Sequence, residues 1–220
     1  MPKTSARGRP VRLLVVDDHM IIRRGLIQIL SEAPDIGEVR DAGDGPTALR
    51  LLRERAADVL LLDIALGERD GLDVLRTVRA EFPAVGVVML SVYPESQFAL
   101  RAIRAGAGAY LNKGCSPEEL LTAIARVAEG GMYLTGSIAE LLARSVRDDG
   151  ERPAHEALSN REFQVLKLLA QGRTVSEIAQ QLSLSGNTIS TYRSRVFEKL
   201  GVRSIVELVN YASRHELLDK

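Results

Sequence analysis

Tryptophan is absent from this 220-residue chain, aromatic residues make up only 4% of it, and cysteine occurs once. A chain so short of rings must build aliphatic cores, which suits parallel sheets covered by helices. The lone Cys115 excludes an intramolecular disulfide framework and fits a reducing compartment. An excess of charge of either sign is also missing: 29 Lys and Arg balance 29 Asp and Glu, so net charge argues neither for nor against a nucleic-acid partner. No apolar run approaches the roughly 18 residues that span a bilayer. The basic stretch 1–10 is followed by no apolar segment of the kind a secretory signal carries, so it reads as a disordered leader. A cytoplasmic location away from membranes is expected. The remaining composition, 45% hydrophobic and 26% charged, is that of a soluble globular protein long enough for two domains.

Between residues 11 and 130, short apolar runs alternate with helical periodicity. The runs fall at 13–16, 37–41 (the weakest), 59–62, 85–90 and 109–111, and the helical patterns at 20–30, 47–55, 72–82, 96–105 and 117–129. Five such repeats predict a doubly wound, flavodoxin-like α/β domain with parallel strands in the order 2-1-3-4-5. Residues 131–157 read as a linker, with a helix over 135–146 and then a charged Gly- and Pro-broken stretch over 147–153. From 158 to 220 no strand signal remains. Ser159/Glu162, Thr174/Glu177 and Ser204/Glu207 each have capping-box spacing, Ser185 is a further helix cap, and Gly201 stands where a helix would end. A four-helix domain follows.

The polar residues of the first domain fall at particular places. Asp17 and Asp18 follow the first strand, Asp63 the third, Ser91 the fourth and Lys113 the fifth. In an open parallel sheet these positions share the carboxyl edge, where ligands bind. Taken singly, Asp17 or Asp18 is a helix cap, Ser91 a turn residue and Lys113 a surface lysine. Taken together, three carboxylates repel one another unless a cation joins them, and a hard divalent ion such as Mg²⁺ or Mn²⁺ suits carboxylate, carbonyl and water ligands. Asp63, emerging from an apolar strand, is then placed to attack a phosphoryl donor, with Lys113 and the metal neutralising the transferred oxygens.

The runs Leu13-Leu14-Val15-Val16-Asp17-Asp18-His19, Asp63 with Asp70-Gly71, Ser91, and Tyr110-Leu111-Asn112-Lys113-Gly114 resemble response-regulator receiver domains over about residues 11–130. The resemblance implies that Asp63 is the phosphoacceptor. Asp17, Asp18, Asp63 and the Ala65 backbone carbonyl would be metal ligands, Lys113 the phosphate-binding residue, and Ser91 with Tyr110 a conformational switch. It also implies a sensor histidine kinase as partner. The chain departs from the family by carrying Leu66-Gly67 where Met-Pro is usual. Loop length is kept, but Gly67 adds backbone freedom, which bears on the lifetime of a phosphate more than on its formation. A dehalogenase-like phosphotransferase or phosphatase would need a second aspartate two residues after the nucleophile, where this chain has Ala65. A flavin domain would need an anion-binding loop after the first strand, where this chain has two aspartates. A regulator of the same architecture that works without phosphorylation is the remaining alternative.

In the second domain, Ile189, Tyr192, Val196 and Leu200 recur at helical spacing and turn Asn187, Ser190, Thr191, Ser194 and Glu198 outward, with Arg193, Arg195 and Lys199 on the flanks. Small polar residues on such a stripe can approach base edges while flanking cations meet phosphates. The preceding helix pattern, 175–182, joins this one through Ser183-Leu184-Ser185, a helix-turn-helix spacing. Leu158-Ser159-Asn160-Arg161-Glu162, Ile178-Ala179, Leu182-Ser183-Leu184-Ser185, Thr188-Ile189-Ser190-Thr191-Tyr192 and Phe197-Glu198-Lys199-Leu200-Gly201-Val202 resemble the LuxR-type helix-turn-helix over about 155–215. With the receiver, this resembles the NarL/FixJ class of response regulators, which are not enzymes acting on an external substrate. Asn187, Thr188, Ser190, Thr191, Arg193, Ser194, Arg195 and Lys199 would contact double-stranded DNA. Val206, Val209 and Ala212 on the last helix resemble the class's dimer contact, matching a homodimer on an inverted repeat.

Overall fold

Four of the five parallel strands form where short aliphatic runs are buried; the strand over 36–42, at the sheet edge, is mostly half-buried or exposed. The first, β1 (Val11–Val16), pairs with β2 (Ile36–Ala42) and β3 (Val59–Asp63); β3 pairs with β4 (Gly86–Ser91) and β4 with β5 (Ala109–Asn112). All four pairings are parallel and the order is β2-β1-β3-β4-β5, the doubly wound order expected. The structure, a computed structural model, describes residues 9–66, 69–147, 153–182, 184–215 and 217–218. The leader up to residue 8, Gly67, most of the 147–153 linker and Ser183 of the helix-turn-helix turn lie outside the described residues.

Between the strands run α1 (Met20–Ser31), α2 (Gly45–Glu54), α3 (Gly71–Glu81), α4 (Glu95–Arg104) and α5 (Pro117–Ala128). Leu30 of α1 and Leu120, Ala123, Ile124 and Val127 of α5 pack on Leu13, Val15, Leu61, Val88 and Leu111. The alternate strand residues Leu14, Leu60, Leu62, Val87 and Met89 are equally buried, as a sheet covered on both faces requires. α2 begins two residues earlier than its apolar periodicity suggests. The Asp44 carboxylate accepts the Thr47 N–H at 2.8 Å and Pro46 occupies the first turn, where its missing donor costs nothing.

After α5, Tyr133 bridges to Ala109, and α6 (Gly136–Arg147) packs on α4 with Ile138 fully buried. The Thr135 hydroxyl accepts the Ile138 N–H at 3.3 Å and donates to Glu95 at the head of α4 at 2.7 Å. The helix expected in the linker is thus a docked part of the first compact unit.

The second unit holds α7 (Asn160–Ala170), α8 (Val175–Gln181), α9 (Gly186–Leu200) and α10 (Ile205–Arg214), preceded by a 3₁₀ turn over Ala154–Ala157. Its core joins Val165, Leu166, Ile178, Ile189, Val196, Leu208 and Ala212. Two capping boxes close in both directions, at Ser159/Glu162 and Thr174/Glu177. The third closes in one direction only: Ser204 accepts the Glu207 N–H at 3.2 Å, but the Glu207 carboxylate takes the Arg203 N–H instead, at 2.7 Å. Gly201 ends α9 at φ +67°, a left-handed conformation that glycine adopts without strain.

Candidate functional sites

The parallel register brings the expected polar residues to one sheet edge. Asp17 leaves β1 with its N–H on the Ala42 carbonyl, and Lys113 leaves β5 with its N–H on the Ser91 carbonyl at 2.7 Å. Asp17 and Asp63 are 1% and 2% exposed, and the Lys113 side chain 8%. The Lys113 ammonium donates to Asp63 Oδ2 at 2.7 Å. It also lies 2.6 Å from Asp17 Oδ2, so the two buried carboxylates share one ammonium. Burial, aided by the Asp17 charge, pushes the Asp63 carboxyl up to about 6 against the opposing pull of Lys113 and of the Ala65 N–H at 3.2 Å. Burial also works against the Lys113 charge, yet Asp63 and Asp17 together hold its ammonium above the ordinary lysine value. One cation thus faces two buried carboxylates, an arrangement short of positive charge.

The loop after Asp63 is held tightly. Ala65 pairs with Asp70 and Leu66 with Arg69 in a two-rung antiparallel ladder, which the sequence did not signal. Asp70 caps α3 by accepting the Leu72 N–H at 2.9 Å. At Gly71 a Cβ would stand 2.1 Å from the Asp63 carbonyl oxygen, so only glycine lets α3 start this close to the site. Ser91 and Tyr110 are both buried. The Ser91 hydroxyl accepts the Tyr93 N–H at 3.0 Å and the Tyr110 hydroxyl donates to the Tyr93 carbonyl at 3.0 Å, so both converge on the residue leading into α4. Burial raises the Tyr110 phenol well above its usual range.

In the second unit, Asn187, Ser190, Thr191, Arg193, Ser194 and Arg195 lie exposed along α9, while Ile189 and Val196 point into the core. The Thr191 and Ser194 hydroxyls donate back to the carbonyls of Asn187 and Ser190, at 3.0 and 3.1 Å. Arg193 lies over the Phe197 ring, 5.5 Å from its centroid. Thr188 is half-buried and serves the helix start, its hydroxyl 2.7 Å from that of Ser185. Lys199, expected at a phosphate, has its ammonium 2.6 Å from Glu162 and 3.3 Å from the Ala157 carbonyl. It thereby neutralises the carboxylate that closes the α7 capping box, whose ionised form it favours.

Two family models match the chain. The response regulator receiver domain covers residues 13–125, and the luxR family of bacterial regulatory proteins covers 156–212. The chain belongs to the NarL/FixJ family of response regulators. Among its relatives are the response regulator UvrY of Escherichia coli K12, 35% identical over 94% of this chain and 95% of that protein, and the transcriptional regulatory protein UhpA of the same organism, 39% identical over 90% and 95%. Among solved structures, the response regulator RcsB in a DNA complex aligns with a TM-score of 0.58 at 25% identity, over 93% of this chain and 98% of that one. The response regulator ChrA of a heme-sensing two-component system aligns at 0.52 with 30% identity, over 95% and 99%. This response regulator therefore combines a receiver with a LuxR-type DNA-binding domain, the architecture of DNA-binding transcription regulators.

Two features of this response regulator differ from expectation. Ala212 is 0% exposed and belongs to the core with Leu208, whereas Val206 is 68% exposed and Val209 half-buried. The last helix thus presents Val206, with Ile205 beside it, and withholds Ala212. The cause is the i, i+4 pairing of Leu208 with Ala212 toward the core, a face on which Val206 cannot lie. Second, His19 joins the acidic cluster. It occupies the N-cap of α1, where Asp17 or Asp18 had been alternatives, and its own N–H goes to Asp17 Oδ1 at 2.8 Å. Only the run Asp17-Asp18-His19 hinted at this.

Proposed function

We propose that Asp63 accepts a phosphoryl group from the phosphohistidine of a sensor kinase, and that this modification controls sequence-specific DNA binding through α9. The single observation that carries the reading is the Lys113 ammonium within 2.7 Å of two buried carboxylates at the end of a parallel sheet. In the transfer, an Asp63 oxygen attacks phosphorus, the bond to the donor nitrogen breaks, and the imidazole leaves with that electron pair. Lys113 can follow the transferred oxygens because its ammonium already lies against the Asp63 carboxylate. The residues present fit Mg²⁺ or Mn²⁺: two buried carboxylates share a single ammonium, and the donor set is oxygen-rich. Asp17, Asp18, Asp63 and the Ala65 carbonyl would hold the ion, which supplies neutralisation of charge on the transferred group.

Ser91 supplies a hydroxyl to a phosphoryl oxygen, releasing the Tyr93 N–H, and Tyr110 follows through its bond to the Tyr93 carbonyl. Asn187, Ser190, Thr191 and Ser194 read bases, and Arg193 and Arg195 meet phosphates of double-stranded DNA. Val206 and Val209 supply the contact of a homodimer. The reading places the chain in the cytoplasm, where Cys115 stays reduced. Regulation independent of phosphorylation is less well supported, because the acidic set and Lys113 are all present at the edge.

The test is intact-mass spectrometry of the full chain with acetyl phosphate and Mg²⁺, paired with binding to a selected DNA site. Wild type should gain one phosphate and bind DNA more tightly, and Asp63→Asn should do neither. A chain that never gains phosphate under donor excess would overturn the reading.

A further inference from the structure

We propose that His19 is a nitrogen ligand of the acidic site and makes it discriminate in favour of borderline transition ions such as Mn²⁺ over Mg²⁺. This rests on the reading of Asp17, Asp18 and Asp63 as a metal cradle. One ligand atom from each of Asp17, Asp18, His19 and Asp63 lies within 4.8 Å of the other three, so a small contraction brings all four onto one ion. The His19 Nδ1 lies 2.7 Å from Asp18 Oδ1 and 3.4 Å from Asp17 Oδ1. Adjacent vertices of an octahedron with bonds of about 2.1 Å stand about 3 Å apart, a value that lies between the two separations.

The His19 ring does not serve as the cap of its helix. It is the N-cap residue of α1, a place where Ser, Thr, Asp or Asn would accept an orphan N–H, yet its side chain makes no capping bond. Its ring turns instead toward the carboxylates, and its backbone N–H fixes Asp17 at 2.8 Å, so ring and carboxylate are positioned as one unit. An imidazole adds little to a Mg²⁺ site, which prefers oxygen and keeps its waters. It adds more along the series from Mn²⁺ to Ni²⁺.

Mn²⁺ added to the full chain and followed by electron paramagnetic resonance gives both readouts, affinity from the free-ion signal and ¹⁴N modulation from a bound imidazole. Mg²⁺ affinity follows by competition. Wild type should show the nitrogen modulation. His19→Ala should lose it and bind Mn²⁺ roughly tenfold more weakly with Mg²⁺ affinity little changed. His19 is 62% exposed on its side chain, so the variant keeps the fold. Mn²⁺ bound by wild type without nitrogen modulation, or equal affinity in His19→Ala, would overturn the role of His19 and leave the acidic cradle intact. Binding of neither ion to wild type would overturn the cradle itself, and Asp17→Asn should abolish both ions if the cradle is right.

Discussion

The sheet edge of the receiver and the outer face of α9 are both polar, but they are made in opposite ways. At the sheet edge Asp17, Asp63 and Lys113 are buried and fixed by strand ends, so their charges interact strongly before anything binds. On α9 the residues proposed to contact DNA stand in water, and the hydroxyls of Thr191 and Ser194 are returned to their own helix. The first region is preorganised and electrostatically unbalanced. The second is exposed, and its hydroxyls are already engaged within the helix. Changes at the edge should therefore alter folding, pH response and metal response together, whereas changes on α9 should alter DNA binding and little else.

The largest effect tests the imbalance directly. Lys113→Met leaves Asp17 and Asp63 buried without a cation, and the receiver should lose about 3–5 kcal/mol in urea unfolding at pH 7.5 without metal. Divalent metal should return part of it. A loss below about 1 kcal/mol would show that the pair is solvated rather than buried.

The pH response follows from Asp63, whose carboxyl is raised in the fold from 3.8 to about 6. Folding favours its protonated form, so the associated stability is complete below the unfolded value near 4 and is lost as pH rises through 6. The span corresponds to about 3 kcal/mol at 1.36 kcal/mol for each pH unit. Metal-free melting curves should fall across that window, and Asp63→Asn should flatten them. Mg²⁺ should raise the melting temperature more at pH 7.5 than at pH 5.

Two neighbouring cations sharpen the contrast on the DNA-binding side. Lys199→Ala leaves Glu162 buried without its partner and should destabilise the second unit by about 1–3 kcal/mol. Arg195→Ala should leave stability unchanged, weaken DNA binding on all sequences, and reduce the slope of log affinity against log salt by about 1. Equal behaviour of the two variants would erase the distinction drawn between them. The smallest effect belongs to Thr191→Val, which should shift preference among related sites by about 1 kcal/mol with the salt slope unchanged.

Much of the sheet edge was legible because its logic is one-dimensional. A parallel sheet converts "the residue after the strand" into "the residue at the carboxyl edge", so Asp17, Asp63, Ser91 and Lys113 could be grouped from chain order alone. The caps were legible for the same reason, since Ser159 and Thr174 act on residues three positions away. The partner of Lys199 was not, because Glu162 lies on another helix and no local pattern joins them. Nor was the inward turn of Ala212, which is decided by what packs under α10. The two-rung ladder around the Asp63 loop was hidden by its shortness, and the closeness of Gly71 to Asp63 became apparent only once α3 was seen to start beneath that carbonyl.

The docking of α6 on α4 has a practical side. A receiver fragment ended at residue 130, where the alternation of strand and helix patterns stops, would strip Ile138 and Thr135 from α4 and leave an apolar strip on the helix next to Tyr93. Such a fragment would carry a sticky surface the whole chain does not have, and its self-association in solution would report the cut rather than the signal. Cutting after residue 147 keeps that helix covered.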